Sequence, residues 1–133
     1  ISSLIPECKM YMQLDNKYGL KEIFCGTGDT TLAYKFKGKW CIILTDYKSN
    51  RSLINDFNRN KNIKMLPPFD DMVDEPISHY AIQLSLYSMM LENLGYDVID
   101  RRIIWLKDNG EYEKIKVPYI KKQIIQAFDI YNP

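Results

Sequence analysis

Residues 39–48, KWCIILTDYK, constrain the fold more than any other stretch. Apolar side chains occupy both alternating sets of this run: Trp40, Ile42 and Leu44 on one, Cys41 and Ile43 on the other. A strand that is apolar on both faces needs cover on both, which places it at the centre of a layered α/β structure. The run then stops in Asp46-Tyr47-Lys48. A carboxylate at the end of a buried strand is costly to desolvate unless a positive charge lies beside it, and a metal ion is one such partner.

Other segments supply neighbours for that strand. Residues 7–14 and 20–36 have strand-like content on either side of the turn-like DNKYG at 15–19. A helix is expected over 77–94, with Asp74 or Glu75 as its cap, Pro76 in its first turn and Gly95 at its end. Ile82, Leu86, Met89 and Met90 form its apolar stripe. Strands near 97–107 and 111–117 flank Asp108-Asn109-Gly110, a strong hairpin signal. A last amphipathic helix, about 119–129, turns Ile120, Ile124, Ile125 and Phe128 to the core. Between these, 49–64 is a short helix or a basic loop, and the proline- and acid-rich 66–76 is an irregular connection.

With 133 residues the chain is read as one domain, 1–133, excised or processed from a longer protein because it starts at Ile1 without a methionine. A formal net charge of +1 neither demands nor excludes a nucleic-acid partner. No apolar run approaches the roughly 20 residues of a membrane span. Cys8, Cys25 and Cys41 are far apart and odd in number, which fits reduced thiols in a cytoplasmic compartment.

Three acid-x-Lys triplets occur, Glu7-Cys8-Lys9, Asp15-Asn16-Lys17 and Asp46-Tyr47-Lys48, and only the third closes a buried strand. If 29–36 and 39–46 form a hairpin turning at Lys37-Gly38, Phe36 faces Lys39 and the same register sets Asp29 opposite Asp46. A bulge would move that register by one residue. Lys48, two residues on from Asp46, projects to the same face. Two acids and an amine so placed suit phosphodiester hydrolysis: hard oxygens hold Mg²⁺ or Mn²⁺, and the lysine orients water or offsets transition-state charge. A structural Asp46–Lys48 salt bridge explains the triplet about equally well. On the helix, His79, Gln83 and Tyr87 recur every four residues and form a polar stripe.

The order GTGD (26–29), DYK (46–48) and QLSLY (83–87) resembles the PD-(D/E)XK nuclease superfamily. It is most similar to the RecB-like branch, whose motifs are G-x-x-D, (D/E)-x-K and a helical Q-x-x-x-Y. That branch includes nuclease domains of recombination helicases, CRISPR adaptation nucleases, the mitochondrial genome maintenance exonuclease and phage nucleases. The resemblance implies a restriction-endonuclease-like α/β core, a mixed central sheet flanked by helices. It implies a Mg²⁺- or Mn²⁺-dependent DNA nuclease, an exonuclease of replication, recombination or repair and of phage origin, attached to or associated with a helicase or replication protein. Asp29, Asp46 and the backbone carbonyl of Tyr47 would be metal ligands, Glu7 a further candidate, and Lys48 the catalytic lysine. Gln83 and Tyr87 would contact DNA backbone or organise the site, with His79, Arg51, Arg59, Lys61 and Lys64 as nucleic-acid contacts. Relatives with an iron–sulfur cluster need four cysteines, so no cluster is expected. The histidine that several relatives carry before the first strand has no counterpart, since His79 is the single histidine. A silent nuclease fold serving DNA binding or assembly within a larger protein is the alternative.

Overall fold

The computed structural model describes residues 2–5, 8–15, 21–28 and 30–131, with side chains from Leu32 to Tyr131. Its architecture is α/β. A mixed sheet is ordered β1 (Ser2–Ile5), β4 (Thr30–Phe36), β5 (Lys39–Lys48), β6 (Asp97–Leu106) and β7 (Tyr112–Lys116). The strands β2 (Cys8–Asp15) and β3 (Lys21–Gly28) form a separate antiparallel pair. Helices α1 (Asp56–Asn60), α2 (Pro76–Asn93) and α3 (Lys121–Tyr131) complete the element order. Strand β1, absent from the sequence reading, adds antiparallel to β4, and the single stretch expected over 20–36 divides into β3 and β4.

The pivot is β5, antiparallel to β4 and parallel to β6. Parallel neighbours need a long crossover, and α2 supplies it. The β4–β5 hairpin turns at Lys37 (φ 50°) and Gly38 (φ 79°), the two positive values that a two-residue hairpin turn of the favoured hand requires. Lysine there has no glycine-like freedom, yet the register is unbroken from Phe36–Lys39 to Thr30–Thr45, without a bulge.

Strand β6 does carry a bulge. Ile42 pairs with Val98 and Ile43 with Asp100, so Ile99 has no partner across the ladder. That extra residue reverses the side-chain alternation beyond it. Val98 before the bulge, and Ile103 and Trp105 after it, consequently belong to the same core as Ile42 and Leu44.

Helix α2 runs from Pro76 at its first position to a glycine-terminated end. Tyr96 N donates to Leu91 O and Gly95 N to Glu92 O, with Gly95 at φ 94°. Its buried residues are Ser78, Ala81, Leu84, Ser85, Ser88, Met89, Met90 and Leu91. The expected stripe is therefore displaced: Met89 and Met90 are buried, whereas Ile82 and Leu86 are only partly covered. Small side chains explain the shift, because Ala81, Ser85 and Ser88 let the helix lie close to its neighbours. The serine hydroxyls are satisfied locally. Ser88 Oγ donates to Leu84 O, and Ser85 Oγ donates to Pro118 O while accepting from Ile120 N. On α3, Ile124 is buried and Phe128 packs against the core, but Ile125 is 44% exposed, contrary to expectation. Ile120 is buried just before that helix begins.

Ser85 is thus the buried link between α2 and the start of α3. Ser85→Ala should leave two backbone groups short of a partner and lower unfolding stability by about 1–3 kcal/mol, measured by urea denaturation.

Candidate functional site

The strand context that singled out Asp46-Tyr47-Lys48 is present in the fold. Asp46 lies near the carboxyl end of β5, across from Ile103 of β6, and its side chain is almost fully buried. Lys48 points to the same side, and its Nζ is 2.9 Å from Asp46 Oδ2. Both belong to the alternating set that includes the core residues Ile42 and Leu44. Tyr47, between them, faces the other way. It lines a groove of about 380 Å³ with Leu32, Thr45, Arg102, Ile104, Leu106, Tyr112 and Lys114.

The lysine head also meets α2. Its Nζ lies 4.4 Å from the centroid of the Tyr80 ring. Tyr80 Oη donates to Asn50 Oδ1 at 2.8 Å, and the Asn50 carbonyl accepts from Trp105 Nε1 at 2.7 Å. Tyr80, Gln83 and Tyr87 stand at i, i+3 and i+7, one helical stripe. Gln83 Nε2 donates to Tyr87 Oη at 3.1 Å, and both are partly buried. The sequence reading placed His79 on this stripe and overlooked Tyr80. His79 is exposed and its Nε2 is 2.7 Å from Asp74 Oδ1, in the first turn of the helix. The missed signal was the three-residue step from Tyr80 to Gln83, which with the next four-residue step follows the helical repeat more closely than steps of four alone.

Asp29 and Glu7 lie outside the described residues. The described β4–β5 ladder thus stops one register step short of the expected Asp29–Asp46 pair, with Thr30 opposite Thr45 its last observed rung. Among the described residues no group of three or more histidine, cysteine, aspartate or glutamate side chains converges. Asp46 is the described carboxylate that suits a hard divalent ion at this strand end.

The basic segment splits in two. Arg59 is committed to Glu75: its Nε donates to Oε2 at 2.8 Å and its Nη2 to Oε1 at 2.7 Å. Glu75 is 4% exposed and also accepts from Asn55 N at 3.0 Å. The Arg59 hydrogen bonds, opposed by burial, hold the Glu75 carboxyl below the ordinary carboxylate range. Arg51, Lys61 and Lys64 are exposed on the surface. No helix among the described residues is long and apolar enough to cross a membrane.

Two measurements follow from these ion pairs. Because the Glu75 carboxyl is depressed in the folded state, its contribution to stability is full above about pH 4.5 and falls away as pH drops through the folded value. Denaturation between pH 6 and pH 3 should show that loss in the wild type and its absence in Glu75→Gln. For Asp46 and Lys48, a double-mutant cycle with Asp46→Asn and Lys48→Met should give a coupling of about 1–3 kcal/mol, since either single change breaks a largely desolvated pair.

No protein-family model matches the chain, and no curated protein matches it. The crystal structure of SSO0001 is similar over 92% of this chain and 47% of its own, with 14% identity and a TM-score of 0.47. This chain thus spans about half the length of that one, and the likeness assigns no residue a role.

Proposed function

We propose that the domain is a divalent-metal-dependent DNA nuclease hydrolysing phosphodiester bonds, with its site at the carboxyl end of β5. The observation that carries this reading is a buried carboxylate, Asp46, held 2.9 Å from an amine on the same face of a central strand. In open α/β sheets, ligands bind beyond the carboxyl ends of the strands, where Asp46 and Lys48 sit. The mixed sheet and the β5–α2–β6 crossover are in keeping with a restriction-endonuclease-like core.

In this reading Asp29 and Asp46, with the Tyr47 carbonyl, would hold Mg²⁺ or Mn²⁺. Such an ion would polarise a phosphate and lower the pKa of an attacking water. Lys48 then orients that water or offsets charge that builds on the phosphate oxygens. Gln83 and Tyr87, bonded to each other, present amide and phenol groups along the helix for DNA backbone contacts. Exposed Arg51, Lys61 and Lys64 would track phosphates away from the site.

The test is a time course with Mn²⁺ on end-labelled linear and circular DNA, which also separates exonuclease from endonuclease action. Asp46→Asn and Lys48→Ala should each reduce cleavage about 100-fold or more while leaving the circular dichroism spectrum intact. Retained cleavage in both variants would overturn the mechanism. Calorimetric Mn²⁺ titration should show a site that Asp29→Ala and Asp46→Ala remove. DNA binding without any such site would indicate a silent module instead.

A further inference from the structure

We infer that Tyr80 is a positioning residue for Lys48, held in place by Asn50; this rests on the nuclease reading above. Two attractions of different kinds act on the lysine ammonium: the Asp46 carboxylate at 2.9 Å and the face of the Tyr80 ring at 4.4 Å from its centroid. A cation over an aromatic face is attracted by the ring quadrupole, more strongly when partly withdrawn from water, and the Lys48 side chain is only 20% exposed.

The ring is itself fixed by a chain of contacts. Its hydroxyl donates to the Asn50 side chain, and Trp105 from the parallel neighbour strand pins the Asn50 backbone carbonyl. Asn50 lies two residues beyond Lys48, so the segment leaving β5 folds back to hold the residue that holds the lysine. Tyr80 heads the stripe that continues through Gln83 and Tyr87, so one face of α2 positions the lysine and presents the amide and phenol further along.

The chemical reason for a ring rather than a second acid lies in what happens when a divalent ion takes up the Asp46 carboxylate. With such an ion bound, the lysine would lose part of its hold on that charge and would be repelled by the ion. Another carboxylate would compete for the ion or trap the lysine in an ion pair. An aromatic face keeps attracting the ammonium and has no affinity for a hard divalent cation. Tyr80 would therefore help to keep Lys48 in place when the Asp46 carboxylate is shared with an ion.

Two readouts test this. In the wild type, the Lys48 side-chain methylene protons next to the ammonium should show an upfield ring-current shift by NMR, which Tyr80→Leu removes. Absence of that shift in the wild type would overturn the brace whatever the activity. In the cleavage assay, Tyr80→Leu should lower kcat about tenfold, with KM for DNA and the Mn²⁺ dissociation constant unchanged. Tyr80→Phe, which keeps the ring, should restore most of that loss, and Asn50→Ala should cause a smaller one. An unchanged kcat in Tyr80→Leu, or equal losses in Tyr80→Leu and Tyr80→Phe, would overturn the positioning role. A wild type with the ring-current shift but no Mn²⁺-dependent cleavage would refute the nuclease reading, and the catalytic part of this inference with it.

Discussion

The parallel pairing of β5 with β6 is the constraint on which the remainder of the molecule depends. Two parallel neighbours cannot be joined by a tight turn, so the chain must leave the carboxyl end of β5, cross a face and re-enter beside it. That return path is segment 49–75 followed by α2, whose first turns pass the end of β5, where Tyr80 meets Lys48. The helix brings Tyr80 to Lys48 for the same topological reason that it covers Ile42 and Leu44. Site and core are therefore products of one crossover.

The route into that helix is secured by an ion pair on a buried carboxylate as well as by Leu53, Phe69 and Met72 packed on the core. Segment 49–75 has few buried apolar residues, Leu53 being one, and its buried anion is Glu75, the residue that caps α2 in sequence but offers it no side-chain cap. Its carboxylate turns instead to Arg59 and the Asn55 amide, tying α1 to the helix entrance. A basic run read as a phosphate-tracking surface thus has one member, Arg59, engaged with a buried carboxylate, while Arg51, Lys61 and Lys64 are exposed without that tie.

Much of this was legible in the sequence, and the limits have physical causes. The central strand, the Gly95 stop of α2, the Asp108-Asn109-Gly110 hairpin and the β4–β5 register followed from alternation and turn chemistry. The face of α2 did not, because its closest contacts are made by serine and alanine, which carry little hydrophobic signal, and because the helix is flanked on several sides. Tyr80 escapes notice because a tyrosine one three-residue step before Gln83 reads as core, and only the lysine beneath it reveals another use. The Asp46–Lys48 pair at the end of a buried strand was legible from strand context, whereas the expected Asp29 pairing falls on a residue outside those described.

The unpaired Ile99 gives β6 two halves that are out of phase. Both halves pair with β5, Asp97 and Val98 before the joint and Asp100 to Trp105 after it, so the extra residue is absorbed at Ile99 alone. Were Ile99 drawn into the ladder without a bulge, every later residue would slip one step along β5, and Ile103 and Ile104, and Trp105 and Leu106, would exchange faces, turning the indole that anchors Asn50 toward the groove. The bulge works as a spacer that lets an irregular sequence present the right residue at the level of the site.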